Sequence, residues 1–311
     1  MRIGVIGRGR WMFQTLELLI HSGYDVPLVL TSKAPEDYDI KSMDFKRKAD
    51  EIGARFIETA NIQNDEVKRT LSEIEKLDIA VSVNYSGVIP QSIIEQFRMG
   101  ILNAHGGDLP RYRGNACQAW AIINGEDQIG LCIHKMVGGE LDSGDIISRN
   151  YLTVDIDTRI GEIYDWFDKE IPKMFLHSII KLVENPQFKI ESQSTNPSKA
   201  LRCYPRIPED GRIDWKLNSE DIIRLINATS EPYDGAFTFF DVDRVVIWRA
   251  RVKNDEERYL AIPGQISAIN HLTGEVDIIT GSGKVSLIDI EVNGVRIRPS
   301  KYIKTIRKRL K

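Results

Sequence analysis

Three side chains in this sequence have the types and spacing to move a proton beside a developing oxyanion. Asn103 and His105 stand two residues apart at the end of a predicted strand over 100–104, so both point to the same face. Gly106 and Gly107 follow and leave room for a ligand. Asp142 lies in a second glycine-rich stretch, 138–144. Two loops at the carboxyl edge of one sheet can bring an amide, an imidazole and a carboxylate together. The carboxylate fixes the tautomer of the imidazole and raises its pKa. The carboxamide can donate to an oxyanion. Such a trio suits acyl transfer to an external amine without a protein nucleophile. His21, His134, His177 and His271 have no comparable setting and read as structural. No two-histidine metal spacing is present, so no metal is expected. Cys117 falls in a predicted helix and reads as a small buried hydrophobe, not a nucleophile.

A sheet must supply the edge on which these loops meet. Short apolar strands are predicted at 2–7, 26–30, 55–57, 79–83, 100–104, 129–136 and 146–153, with helical spacing at 10–20, 42–52, 63–76 and 159–184. Strands alternating with helices make a mostly parallel, helix-covered sheet. The texture then changes. Residues 185–204 are polar, contain Pro186 and Pro197, and read as a linker. Beyond a helix at 219–229, five strands are predicted at 236–240, 245–252, 264–270, 275–280 and 284–292, separated by turn clusters. That spacing suggests a small OB-like β-barrel. The expected fold is α/β: a Rossmann-like N-terminal catalytic domain over 1–184, a linker over 185–204 and an OB-like domain over 205–311.

Composition narrows the function. The 311 residues are 42% hydrophobic and 28% charged, which excludes a wholly disordered chain. Lys and Arg number 42 against 45 Asp and Glu, a net charge of −3 that carries no global nucleic-acid footprint. Three cysteines without a CxxC suggest a reducing compartment. No run approaches the ~18 apolar residues of a membrane helix, and the first residues enter a strand directly, so a soluble, cytoplasmic protein is expected. The glycine turn at Gly7 and Gly9 places Met12 where a dinucleotide fingerprint needs a small residue, which argues against nicotinamide. Arg8, Arg10 and Trp11 on this turn could still hold an anionic or sugar-like ligand. The terminal KYIKTIRKRLK reads as a solvated helix end more readily than as an RNA-facing patch.

Asn103-Ala104-His105, the run Leu109-Pro110-Arg111-Tyr112-Arg113-Gly114, and Asp142-Ser143-Gly144-Asp145 together resemble the 10-formyltetrahydrofolate-dependent formyltransferases. The resemblance covers nearly the whole chain. It extends to the 83–90 loop, to the stretch 211–215 and to the stretch 232–237. It implies that Asn103 polarises the formyl oxygen, that His105 manages the proton of the attacking amine, and that Asp142 orients His105. It further implies that the pteridine of 10-formyltetrahydrofolate is held by Val83, Asn84, Tyr85, Val88 and Ile89 on one loop and by Val137, Gly138, Gly139 and Leu141 on another.

The acceptor is read from departures. The family's Gly-Ser-Leu-Leu-Pro is here Gly106-Gly107-Asp108-Leu109-Pro110, which suggests an anion and an enlarged space beside the acceptor. Residues 206–211 resemble formyltransferases of nucleotide-linked 4-amino sugars. The sequence therefore points to a sugar N-formyltransferase, probing its substrate with Arg8, Trp11, Gly107, Asp108, Arg206 and Tyr233. Methionyl-tRNA formyltransferase is the alternative, with the basic tail as its best argument. The expected partners are a nucleotide-sugar substrate and a second copy in a homodimer, with neither nucleic acid nor membrane.

Overall fold

The computed structural model describes residues 1–185 and 187–311; Pro186 of the expected linker lies outside them. The chain divides into two compact units. The first comprises Met1–Gly114, Gly130–Leu152 and Asp165–Arg202, and the second comprises Asn115–Ile129, Thr153–Tyr164 and Cys203–Lys311.

In chain order the elements up to the end of the long helix are β1 (Arg2–Gly7), α1 (Gly9–His21), β2 (Asp25–Thr31), α2 (Ser42–Ile52), β3 (Arg55–Glu58), α3 (Asp65–Glu73), β4 (Ile79–Val83), α4 (Gln91–Ile94), β5 (Ile101–His105), β6 (Arg113–Gly114), α5 (Cys117–Ile123), β7 (Gln128–Lys135), β8 (Ile146–Thr153) and α6 (Ile160–Glu184). Seven strands form one sheet in the order β3-β2-β1-β4-β5-β7-β8. The pairs among β1 to β5 are parallel and β5 meets β7 antiparallel. Strands β1, β4 and β5 carry near-continuous apolar runs, as strands covered on both faces must. Ile3, Val5, Ile79, Val81, Ile101 and Leu102 are fully buried. Parallel strands end on the same edge. The chain following β1, β4 and β5 therefore emerges on one side of the sheet, where open α/β sheets hold their ligands.

After β9 (Arg202–Cys203) come α7 (Ser219–Ala228), β10 (Ala236–Phe240), β11 (Asp243–Lys253), β12 (Ile266–Ile269), β13 (Val276–Ile279), β14 (Lys284–Val292), β15 (Val295–Ile297) and α8 (Pro299–Tyr302). Six of these strands make an antiparallel sheet, β10-β11-β14-β13-β12 with β15 beside β14. Strict alternation sends Ala236, Phe240, Val245 and Ile247 to one face, where they meet Ile222, Ile226 and Trp215 in a single core. Phe237, Val246 and Trp248 pack on the opposite face.

The basic tail differs from the expected helix end. Helix α8 stops at Tyr302, and after a turn at 306–307 Arg309 and Leu310 bridge the two open edges of this sheet. Phe239 and Lys311 exchange backbone hydrogen bonds of 3.0 and 2.9 Å, and the Leu310 N–H donates to the Gly264 carbonyl at 2.9 Å. Leu310 is buried inward while its basic neighbours face water. The physical reason is the unpaired sheet edge, whose N–H and C=O groups need a partner. The Thr238 hydroxyl secures the closure, accepting from Trp215 Nε1 at 2.9 Å and donating to the Lys311 carbonyl at 2.8 Å. Among the described residues no helix is long and apolar enough to cross a membrane.

If Leu310 closes the sheet, Leu310→Ala should cost about 2–5 kcal/mol. Arg309→Ala, on the water-facing side, should stay within about 0.5 kcal/mol. Urea unfolding of the two variants measures both, and equal effects would remove Leu310 from this role.

Candidate active site

Asn103 and His105 leave β5 on the same face, and Asp142 reaches them from the loop between β7 and β8. Asp142 Oδ2 lies 3.5 Å from His105 Nδ1. Asp142 has a left-handed backbone, φ 48°, which a non-glycine residue adopts only when its surroundings hold it. Two contacts do so. Its carbonyl accepts from Gln193 Nε2 at 2.9 Å, and its Oδ2 accepts from the Gly114 N–H, also at 2.9 Å. Gln193 in turn accepts from Arg113 Nη2 at 2.6 Å.

A fourth side chain belongs to this group, although its setting in the sequence reads as structural. His134 pairs with Asn103 in the β5–β7 register. Its Nε2 lies 3.2 Å from Asn103 Nδ2 and 3.6 Å from Asp142 Oδ1. Its Nδ1 faces its neighbour's carbonyl, Lys135 O, at 2.9 Å. A carbonyl only accepts, so Nδ1 carries the proton and Nε2 accepts from the Asn103 amide. This bond fixes which way the carboxamide faces and leaves its second N–H for another acceptor. Nothing local marks His134 in the sequence. Its one signal is alternation along β7, which becomes informative only once the pairing with β5 is known.

His105 sits between two acceptors. Its Nε2 lies 2.6 Å from the Tyr112 carbonyl and carries a proton, and in the neutral ring the lone pair is then on Nδ1, toward Asp142. Burial lowers the pKa of His105 and outweighs the nearby carboxylate, which alone would raise it. This reverses the sequence expectation of a raised value, because proximity to Asp142 comes only with near-complete burial. Burial also pushes Asp142 upward. In the acid range where Asp142 titrates His105 is protonated, and its charge together with the Gly114 N–H more than offsets that and holds Asp142 down at about 2. At neutral pH the pair is thus a neutral imidazole beside a carboxylate.

The proposed pteridine loops meet at Gln91, whose Oε1 accepts from the Gly138 N–H at 3.0 Å. Val88, Val137 and Leu141 expose apolar side chains there, while Val83 and Ile89 are buried. Asn84 donates to the Tyr38 hydroxyl at 2.9 Å. Tyr85 spends its hydroxyl on the Thr59 carbonyl at 2.8 Å, and burial pushes its pKa to about 12. Gly139 has φ 80°, a turn that favours glycine.

The six residues read as substrate contacts separate. Arg8 donates to the Lys33 carbonyl at 3.0 Å. Trp11 packs edge-on against Phe167 at 5.4 Å. Gly107 does not enlarge the site. A Cβ there would lie 2.3 Å from the Tyr112 oxygen and 2.7 Å from His105 Nε2, so its missing side chain is what lets the two approach. Asp108 is not a free anion, because Arg149 Nη1 donates to it at 2.9 Å and the Tyr151 hydroxyl at 2.8 Å. Arg206 and Tyr233 come together in the second unit, lining a cavity of about 160 Å³ with Ala116, Ala119 and Thr229. Cys117, Cys132 and Cys203 are all buried. Among the described residues no cluster of His, Cys, Asp or Glu is arranged to hold a metal ion.

Comparison with known proteins gives consistent matches. The formyl transferase family profile matches residues 1–179, and the profile of the formyl transferase C-terminal domain matches 206–306. A methionyl-tRNA formyltransferase of Agathobacter rectalis is 28% identical over 302 residues, covering 94% of this chain and 93% of its own. The N-formyltransferase of Helicobacter canadensis, solved with folinic acid and dTDP-3-aminofucose, superposes with a TM-score of 0.68 at 17% identity, over 92% of this chain and 98% of that one. HypX of Aquifex aeolicus, solved with tetrahydrofolic acid, superposes with a TM-score of 0.60 at 18% identity. That match spans 98% of this chain and 47% of HypX, so the chain corresponds to about half of that protein. At such identities the structural likeness establishes the fold.

His105 should titrate below the ordinary imidazole value of about 6.5. In Asp142→Asn the midpoint should fall further, because the carboxylate is what favours the cation. NMR titration of the imidazole reads both, and a wild-type midpoint above 6.5 would overturn the neutral assignment.

Proposed function

This chain belongs to the formyl transferase family, and we propose that it moves a formyl group from 10-formyltetrahydrofolate to the amine of a nucleotide-linked amino sugar. The observation that carries the chemistry is the convergence of Asn103, His105, His134 and Asp142 at the carboxyl edge of the sheet. The folate supplies the formyl carbon. The apolar side chains of Val88, Val137 and Leu141 fit the flat face of a pteridine, and the backbone of the two loops fits its polar edge.

Each protein group has one task. The second N–H of Asn103 donates to the formyl oxygen, where negative charge grows as the amine attacks. His105 Nδ1 takes the proton that the amine loses. Asp142 stabilises the resulting imidazolium at 3.5 Å in a dry setting, where the attraction is stronger than in water. His105 then returns that proton to the departing folate nitrogen as the carbon–nitrogen bond breaks. No protein nucleophile is used.

The sugar acceptor is supported by two things. The chain aligns along almost the full length of an N-formyltransferase solved with dTDP-3-aminofucose, and the overall charge of −3 suits a small acceptor better than a tRNA. Residues 206–211, which resemble formyltransferases of nucleotide-linked 4-amino sugars, favour a 4-amino-4,6-dideoxy hexose. Methionyl-tRNA is the second reading, favoured by the 28% identity to an enzyme of that name.

The test is a formyl-transfer assay with 10-formyltetrahydrofolate, offering dTDP- and UDP-linked 3- and 4-amino sugars beside methionyl-tRNA. Mass spectrometry should find one formyl group gained on a sugar. Transfer to the tRNA alone would replace the acceptor. His105→Ala should lower turnover roughly 10²–10⁴-fold, and near-normal turnover would remove His105 from the mechanism. Since the neutral imidazole does the work, wild-type turnover should fall as pH drops through its lowered pKa. An acid limb centred above 6.5 would contradict this assignment.

A further inference from the structure

Resting on the reading of His105 as proton acceptor, we propose that Asp108 and Arg149 form a positioning pair that sets the His105 tautomer from outside the reacting centre. His105 and Tyr112 are the two ends of one loop. The loop works only if it returns the Tyr112 carbonyl to within 2.6 Å of His105 Nε2. Tyr112 is held in a left-handed conformation, φ 57°, with its side chain buried. Gly107 lies between the two ends, so close that no Cβ fits. A shift of a few tenths of an ångström in this loop is therefore felt directly at Nε2.

Asp108 is where the loop is fastened to the sheet. Its backbone lies on β7 so closely that a Cβ on Gly130 would sit 2.8 Å from the Asp108 Cα. Its carboxylate accepts from Arg149 and Tyr151, both on β8. Arg149 is itself clamped, with Nε and Nη2 donating to the two oxygens of Glu191 at 3.0 and 2.5 Å. A bidentate guanidinium is a rigid anchor, and only 18% of this side chain is exposed. The next residue, Leu109, is buried with Cys132 and Ile146.

The consequence is chemical. While the carbonyl accepts from Nε2–H, the lone pair stays on Nδ1. If the loop loosens, the imidazole proton can move to Nδ1 and donate to Asp142. The position that must receive the amine proton is then filled. The pair thus acts on proton transfer through loop placement, without touching the reacting atoms.

Long-range ¹H–¹⁵N spectra of the intact chain report the tautomer directly. The wild type should be mainly Nε2–H. In Asp108→Leu and Arg149→Met the ratio of Nε2–H to Nδ1–H should fall about five- to tenfold, the worth of one net hydrogen bond. The turnover number should fall by a similar factor, with KM for 10-formyltetrahydrofolate held within about twofold. Arg149→Lys keeps the charge but loses the fork on Glu191, so it should restore only part of both. Asp108→Asn covers the case in which Asp108→Leu does not fold, and should shift the tautomer in the same direction. An unchanged tautomer in folded variants overturns the proposal. So does an unchanged turnover number with a raised KM for the amine, which would make Asp108 an acceptor contact. His105→Gln separates the two levels. Retained turnover in that variant fails the mechanistic reading, while the tautomer measurement judges the positioning pair by itself.

Discussion

A neutral imidazole and an ionised carboxylate share one dry place, and much of the first unit is arranged around keeping both paired. An unpaired polar group in such a setting costs about 1–3 kcal/mol, and an unpaired charge costs more. His105 and Asp142 avoid that cost through partners that are mostly backbone: the Tyr112 carbonyl for one and the Gly114 N–H for the other. Backbone partners do not titrate. They hold one protonation pattern while the pair itself exchanges a proton.

That economy needs close approach. Tyr112 and Asp142 both adopt left-handed backbones, and Gly107 gives up its side chain so that the loop can fold onto its own histidine. His134 completes the arrangement by turning the Asn103 amide. Neighbouring strands supply Asn103, His105 and His134, which makes their spacing as rigid as the sheet. Only Asp142 arrives on a loop, and Gln193 and Gly114 tie that loop down.

The second unit shows a different use of charge. Its terminal residues read as a basic tail, and their backbone is spent on closing a sheet. Lys308 pairs with Asp241, so part of the cationic run is neutralised within the unit. Buried Lys284 likewise meets Asp255 and Glu257. Counting cations along the chain overstates the field available to a polyanion, because acids brought in by the fold offset them. Outer-face aromatics follow the same pattern: Arg244 covers Phe237 at 4.2 Å and Arg296 covers Trp248 at 4.1 Å.

Whatever depends on local order is legible along the chain. Strand and helix periods located the sheet, and the two-residue step from Asn103 to His105 before a double glycine marked one edge of the site. Asp142 followed from a glycine-rich loop and a resemblance. Whatever depends on pairing between distant segments emerges only when the chain folds. His134 enters the site through antiparallel register with β5, which no local pattern encodes. The His105 pKa moves down, not up, because burial and the carboxylate act in opposite directions and only packing sets their balance. Asp108 loses its free charge to Arg149, 41 residues away. Gly107, read as open space, is a close contact for the same reason. A residue type states what a side chain can do, and the groups that fold against it decide which of those things it does.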